Sequence, residues 1–377
     1  MFCNMVYDHT LIMELEKFIA LCRQYDELYI YGAAENQKLL AKYLHICEIN
    51  IKGFVVSTTL SDLKHISPEK TGFILGLSDK YYNEIWKSLL QYGITGIIFL
   101  PEFVKQVIAY KLRPRKAEEM NIEFNLVDHC NLNCQMCDHF SQIANQGFLD
   151  LSVFENDIRR LSELTPKLGS IKLLGGEPLL HAQATDFCIV ARKYFPDTPI
   201  KFYTNGLLLL NPKHEDFWEV CSKCNISIEL TKYPIPLNHE KILQKAHQHN
   251  IVLNIFSEEA NREATEVKHS LKFQLDPSGQ QPKLGIIDCY QMNNCSVLSH
   301  GKLYLCPTVA CIEHFNSFFG KTFNRCKTDS IDIFVVKSFE EIANFANNPV
   351  PFCRYCDVRR REFYPWKPST KKIEEYV

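Results

Sequence analysis

Residues 130–137 read Cys-Asn-Leu-Asn-Cys-Gln-Met-Cys, which puts three thiols, Cys130, Cys134 and Cys137, on one short stretch with C-x3-C-x2-C spacing. Gaps this short let a single loop wrap three corners of an iron–sulfur cube. Asn131, Asn133 and Asp138 are turn-tolerant residues that can also aim hydrogen-bond donors at sulfur. A four-iron cluster closed by protein takes four thiolates, so three leave one iron open for something bound nearby. Residues 175–178 read Gly-Gly-Glu-Pro, a glycine turn with an acid, which suits a small polar cofactor. Two other chemistries use the same residue types. Zinc would take its fourth ligand from His129 or His139. A redox pair would use Cys134 and Cys137, although that motif has two cysteines and here a third precedes it. Several soft metals suit thiolates, so spacing by itself leaves the metal open.

A second group of cysteines lies near the end of the chain: Cys289-x5-Cys295, then Gly301-x4-Cys306-Pro307, then Cys353-x2-Cys356. Between them His300-Gly301-Lys302-Leu303-Tyr304-Leu305 reads as a hairpin with glycine at its tip. Two cysteine pairs of this kind also fit a structural zinc ribbon. Cys311 and Cys326 fall outside the count and read as structural. Cys221-x2-Cys224 closes a helical stretch after Phe217 and Trp218, where a core-facing helix end explains it. Cys3, Cys22, Cys47 and Cys188 are scattered and read as small buried hydrophobes.

These residues need elements to position them. Leu28–Tyr31, Ile51–Val56, Phe73–Leu77 and Ile97–Leu100 read as strands with helical patterns between, Tyr81–Leu90 among them. That alternation predicts a small parallel α/β unit over residues 1–113. Its first turn offers Gly32, Ala34 and Gln37 where a dinucleotide fingerprint wants three glycines, and Ser57 where it wants an acid. A docking or substrate-presenting role is therefore the preferred reading. Lys111–Met120, charged and carrying Pro114, reads as a linker. Strands are predicted at Ile122–Val127, Ile171–Leu174, Lys201–Thr204, Ile226–Leu230 and Ile251–Phe256, with helices at Phe154–Leu164 and Ala182–Tyr194. In such sheets active sites gather at the C-terminal strand ends, where Cys130, Gly175, Thr204 and Thr231 fall.

The cysteine loop and the Gly-Gly-Glu-Pro turn together resemble the radical S-adenosylmethionine (radical SAM) superfamily, over residues 120 to about 280. The resemblance implies an α/β fold: a partial (β/α)6 barrel over 114–284, a small Rossmann-like domain before it, and a cysteine-rich cluster-binding domain over 285–377. It implies a [4Fe-4S] cluster on Cys130, Cys134 and Cys137, whose open iron is chelated by the amino and carboxylate groups of SAM. Gly175, Gly176, Glu177 and Pro178 then contact the SAM amino group. Thr204-Asn205-Gly206 is similar to the family's polar turn near the SAM carboxylate and ribose. Thr231-Lys232-Tyr233-Pro234 is similar to the segment facing adenosine or substrate. Met136 stands where the family often carries an aromatic residue, and its polarizable side chain can pack against adenine. One electron from the reduced cluster breaks a carbon–sulfur bond of SAM, and the 5′-deoxyadenosyl radical takes hydrogen from an unreactive carbon. The C-terminal cysteines resemble the SPASM and twitch extensions, which implies a second [4Fe-4S] cluster on Cys289, Cys306, Cys353 and Cys356, with Cys295 as the alternative fourth ligand. A flavodoxin- or ferredoxin-type donor is the implied electron source. A small carbohydrate-like substrate, oxidised, epimerised or rearranged, is the first expectation. A peptide-modifying maturase is the second, and a non-catalytic electron-transfer protein the third, against which the intact Gly-Gly-Glu-Pro argues. For epimerisation the hydrogen donor would be Cys295 or Cys311.

Composition sets outer bounds. A chain of 377 residues suggests two or three domains, and 46% hydrophobic with 23% charged residues is ordinary for globular proteins. A net charge of −2 gives no broad electrostatic footprint for nucleic acid or anionic membrane. Asp8, Glu14, Glu16 and Lys17 interrupt any signal-peptide core, and no apolar run reaches the roughly 20 residues of a membrane span. With 16 cysteines clustered as metal ligands would be, a reducing cytoplasm is the expected location.

Overall fold

The computed structural model describes residues 9–56, 67–75, 79–256, 269–281, 289, 291–292 and 294–377. Cys3, Ser57 and Leu77 lie outside the described residues. The chain forms two compact units, residues 1–114 with 282–289, and residues 115–281 with 290–377.

The first unit holds helix α1 (His9–Cys22), strand β1 (Glu27–Tyr31), α2 (Glu35–Ile46), β2 (Gly53–Val55), β3 (Thr71–Leu75), α3 (Asp79–Gln91), β4 (Gly96–Phe99) and α4 (Glu102–Leu112). Its four strands are all parallel, in the order β2-β1-β3-β4. Leu15, Phe18, Ile19 and Cys22 form the buried stripe of α1. At the turn after β1, Gly32 has φ +93°, and the Gln37 amide lies 3.3 Å from where a Cβ would stand. A long polar side chain thus fills the place that the third glycine of a dinucleotide turn leaves open.

The second unit is built on an eight-stranded sheet. Its strands in chain order are β5 (Asn121–Val127), β6 (Ser170–Gly175), β7 (Ile200–Thr204), β8 (Ile226–Thr231) and β9 (Leu253–Phe256). After β10 (His269–Leu275), which lies outside this sheet, come β11 (Ser296–Ser299), β12 (Lys302–Tyr304) and β13 (Ser330–Asp332). The spatial order is β13-β12-β11-β5-β6-β7-β8-β9. β5 to β9 are mutually parallel, and β11 joins them parallel to β5. The α/β fold is that of βα repeats: α5 (Leu151–Leu164), α6 (Ala184–Tyr194), α7 (Glu215–Lys223) and α8 (His239–Gln248) follow β5 to β8 in turn. Through β11 to β13 the C-terminal cysteine-bearing segment continues the same sheet. Its two helices are α9 (Pro307–Phe319) and α10 (Phe339–Ala346), and its last strand, β14 (Cys356–Pro365), pairs antiparallel with β10.

Period-two alternation gives the sheet two unlike faces. Ile122, Phe124 and Leu126, Ile171 and Leu173, Ile200 and Phe202, and Ile226, Ile228 and Leu230 are buried in one apolar core with Phe154, Ile158, Phe187 and Phe217 of the helices. Ring pairs tie the layers together: Phe124 to Phe154 at 4.8 Å, Phe154 to Phe187 at 5.0 Å, and Phe202 to Phe217 at 4.6 Å between centroids. The intervening positions are polar, and in register Glu123 stands beside Lys172, Lys172 beside Lys201, and Tyr203 beside Glu229. No helix among the described residues is long and apolar enough to cross a membrane.

Phe154 belongs to two of these ring pairs and has no exposed surface. Phe154→Ala should lower the unfolding free energy of the larger unit by about 3–5 kcal/mol, seen as a lower urea midpoint by circular dichroism.

Candidate metal centre

Because β5 to β8 are parallel, their C-terminal ends form one rim, and the chain leaves each strand there on a turn with functional side chains. Cys130 follows the end of β5, Gly175 ends β6, Thr204 ends β7 and Thr231 ends β8. The first two turns touch. Gly176 N–H donates to Val127 O at 2.7 Å and Glu177 N–H to His129 O at 3.2 Å. A Cβ on Gly176 would lie 1.9 Å from His129 O, and Gly175 has φ +140°, so both positions require glycine.

Glu177 then ties this turn to the next. Its side chain has no exposed surface. Oε1 accepts from Leu179 N at 3.2 Å and from Thr204 Oγ1 at 2.8 Å, and Oε2 accepts from Asn205 N at 2.9 Å. Burial pushes the Glu177 carboxyl up to about 7, against those three donors, which pull it down. Asn205, held by its backbone, reaches the cysteine loop: Nδ2 donates to Asn131 Oδ1 at 2.7 Å and lies 3.7 Å from Cys130 Sγ. Gly206 N–H returns to Thr204 Oγ1 at 3.0 Å and closes the turn.

The cysteine loop brings its three thiols together. Burial pushes the Cys130 thiol above its usual range, Leu132 N–H at 3.3 Å opposes this, and Glu177, Cys137 and Cys134 add to the rise. Tyr233, two residues beyond β8, is hydrogen-bonded to Cys134, and burial beside the three thiols raises its phenol. Met136 has φ 51°, a left-handed turn between Cys134 and Cys137. Cys137 Sγ, a carboxylate oxygen of Asp138 and a ring nitrogen of His139 lie within 4.8 Å of one another. Among the described residues no set of four His, Cys, Asp or Glu ligand atoms is that tight, whereas a tetrahedral zinc site needs four.

Three observations fit a cluster and cofactor at this rim. Three clustered thiols suit a soft metal that takes up the charge of their thiolates. His129 Nδ1, Asn133 Oδ1 and Gln135 Oε1, all on or beside the loop, are buried without a hydrogen-bond partner. Finally, two adjacent glycines bring backbone, not side chains, to the place between Cys130 and Glu177.

The last residues of the chain were not among the sequence candidates, yet they cover this loop. Pro368 bridges to Cys134 in antiparallel fashion. Gln135 N–H donates to Lys367 O at 3.1 Å, Ser369 N–H to Asn133 O at 2.9 Å, and Asn133 Nδ2 to Ser369 O at 2.8 Å. Trp366 packs on Tyr233 at 5.7 Å, and Tyr376 packs on Phe140 and hydrogen-bonds Gln142.

Behind the rim, the polar face of the sheet carries a second network. Lys172 Nζ reaches Glu123 Oε1 at 2.9 Å and Asn294 O at 2.7 Å. Burial would lower the Lys172 ammonium, but Glu123, Cys295 and Tyr203 together outweigh it and hold it above its usual range. Burial likewise pulls the His139 imidazole down, and the Asp138 carboxylate at 3.0 Å together with the hydrogen-bonded Cys137 overrides this, lifting it to about 10. Gln291 donates to Asp138 at 2.9 Å and accepts from Thr308 at 3.1 Å. Cys295 is hydrogen-bonded to Glu123, and Asn125 Nδ2 lies 3.2 Å from Cys311 Sγ; burial raises both thiols well above their usual range.

The C-terminal cysteines are placed as follows. Cys306 is the N-cap of α9, Cys353 lies in the short turn Pro351–Tyr355, and Cys356 opens β14 opposite Leu275. Cys326 is drawn to the same turn: Asp329 accepts from Cys326 N at 2.6 Å, from its thiol at 3.2 Å, and from Phe352 N at 2.7 Å. Cys289 belongs to the first unit, where its carbonyl accepts from Lys111 Nζ at 3.2 Å. Cys221 is buried and hydrogen-bonded with Cys188 in the core.

No family model matches the chain. Among solved structures it is similar to BtrN in complex with AdoMet and 2-DOIA, at 18% identity and a TM-score of 0.40, over 68% of this chain and 96% of that one. It is similar to anSMEcpe with bound AdoMet at 14% identity and a TM-score of 0.38, over 63% and 87%. SuiB of Streptococcus suis bound to precursor peptide SuiA shares 11% identity at a TM-score of 0.31, over 70% and 76%. These three proteins are radical SAM enzymes. At such scores likeness decides nothing about chemistry, and the residues must carry it.

Two outcomes test this geometry. A chain ending after Pro365 should retain less than half the iron of the full chain after anaerobic reconstitution, measured by iron assay after desalting. In the metal-free protein, the raised Glu177 carboxyl stabilises the fold fully below about pH 4.5 and loses that contribution as pH rises through about 7. Glu177→Gln should flatten the fall in urea midpoint between those two pH values.

Proposed function

We propose that the chain is a radical SAM enzyme. The observation that carries this reading is the Glu177 carboxylate, which locks the Gly-Gly-Glu-Pro turn to Thr204-Asn205 and so places Asn205 against Cys130 and Asn131. A closed electron-transfer cluster has no use for a glycine-lined turn fixed beside three thiols.

Cys130, Cys134 and Cys137 hold three irons of the cluster, and the backbone of Gly175, Gly176 and Glu177 receives the amino acid end of SAM. When bound, cluster and SAM supply one-electron cleavage of a carbon–sulfur bond and a carbon radical able to take hydrogen from an unactivated C–H bond. The protein does the rest. Asn205 orients donors at Cys130 and the ribose side, Met136 packs beside the nucleoside, and Thr231 and Tyr233 close the far wall. Residues 366–369 and Tyr376 brace the loop. Cys306, Cys353 and Cys356 would hold a second cluster. A small molecule, not a peptide, is the substrate this reading favours, because the face of the sheet behind the rim is polar and enclosed.

Anaerobically purified protein should be brown, carry about eight irons per chain if both sites hold four-iron clusters, and convert SAM to 5′-deoxyadenosine with dithionite. Cys134→Ala should lower that conversion at least 100-fold, whereas Cys353→Ala should retain it with about four irons. SAM cleavage persisting in Cys134→Ala would refute the assignment.

A further inference from the structure

His139 stands two residues beyond Cys137 and is held from several sides. Its ring is hydrogen-bonded to Cys137, and Cys137 Sγ lies within 4.8 Å of a ring nitrogen. Nδ1 meets Asp138 Oδ1 at 3.0 Å, and Nε2 faces Glu123 Oε2 at 3.9 Å. The two acids are themselves fixed by groups distant in sequence. Asp138 Oδ2 accepts from Gln291 at 2.9 Å, and Gln291 Oε1 accepts from Thr308, in the first turn of α9, at 3.1 Å. Gln291 and Thr308 are both buried. Glu123 Oε1 accepts from Lys172 of β6 at 2.9 Å. A ring placed by β5, β6 and the start of α9 cannot swing away from Cys137 without stranding buried polar groups. Hydrogen bonds to the sulfurs of an iron–sulfur cluster draw electron density from them and favour the reduced state.

We propose that His139 is a positioning residue for the metal centre: held by Asp138 and Glu123, it donates to Cys137 Sγ and raises the reduction potential of the cluster on Cys130, Cys134 and Cys137. The neutral and the charged ring both carry an N–H for this bond. Gln291 and Thr308 extend the hold to the C-terminal segment, so the packing of α9 bears on how easily the centre takes up an electron. The inference rests on the radical SAM reading but concerns the entry of the electron, not the fate of SAM.

The test uses the iron-loaded full chain in a Cys353→Ala background, so that the C-terminal cysteines add no signal. Reduction is titrated anaerobically with dithionite and redox mediators, and the reduced cluster is followed by electron paramagnetic resonance. His139→Leu, which removes the donor, should shift the one-electron equilibrium toward the oxidised state at least 10-fold, about 59 mV to more negative potential. His139→Gln, whose amide can donate, should recover at least half of that shift. Gln291→Leu, which acts on Asp138, should move the midpoint in the same direction by less, at equal iron content, and it decides the matter where His139→Leu holds no cluster. Midpoints unchanged in both His139→Leu and Gln291→Leu, a shift to more positive potential, or a His139→Gln midpoint as low as that of His139→Leu would overturn the proposal. Nitrogen hyperfine coupling of a directly ligated imidazole would also overturn it, because His139 would then be a fourth ligand of the cluster. 5′-Deoxyadenosine formed from SAM by the same preparation reports separately on the radical SAM reading.

Discussion

The rim of the larger unit depends on one carboxylate that water does not reach. Glu177 has no exposed surface and spends both oxygens on groups of its own turn and the next, so the ends of β6 and β7 cannot move independently. Leaving that acid in a dry place raises its affinity for a proton, which shows how much the burial costs. The gain is geometric. With Asn205 fixed at its backbone, its side chain reaches Asn131 and Cys130, and the order of three separate loops follows from a single tie. The glycines make the tie possible, since any side chain at Gly176 would collide with the carbonyl of His129.

How much of this was legible in the sequence depends on distance along the chain. The strand ends were readable because apolar alternation stops where Cys130, Gly175, Thr204 and Thr231 begin, and the α/β fold followed from the same repetition. Short motifs are dictated by chemistry: thiols for metal, glycines for close approach, an acid to hold donors. The cover over the cysteine loop was not readable. Asn133 and Ser369 meet across more than two hundred residues, and nothing in Trp-Lys-Pro-Ser-Thr marks it as a partner for a loop so far upstream. The place of Cys326 beside Phe352 is hidden for the same reason, since Asp329 joins them through backbone donors that leave no pattern.

One signal was present in the strands and carried more than their helix-facing pattern alone conveyed. Parallel strands covered on both faces read as continuous apolar runs. Here β5 reads Asn-Ile-Glu-Phe-Asn-Leu-Val, β7 reads Ile-Lys-Phe-Tyr-Thr and β8 reads Ile-Ser-Ile-Glu-Leu-Thr. The apolar members meet the helices, as the ring pairs of Phe124 and Phe202 show, so the polar members face the other way into the unit. An ordinary core would not carry Glu123, Lys172, Tyr203 and Glu229 there, because each needs a partner or a ligand to be stable. Period-two polarity in central parallel strands is therefore a mark of a lined interior, and it identifies the face before any side-chain contact is known.

The cysteines make the same argument from the opposite side. Cys188 and Cys221 are hydrogen-bonded to each other within the helix layer, Cys22 lies beside Cys47 in the first unit, and burial is the largest cause of the raised Cys221 and Cys22 thiols. Cys295 and Cys311 are as deeply buried, but beside Glu123 and Asn125, on the face where the unit keeps its charges. Cys130, Cys134 and Cys137 differ again: they are half-buried, gathered on one turn, and surrounded by donors and partnerless polar atoms. One residue type thus stands in a packed core, in a polar lining and in a loop of gathered thiols, and what separates the three settings is the chemistry of the neighbours, not the count or the spacing. Among the described residues the loop of three is set apart because a fixed amide and the glycine turn both stand beside Cys130.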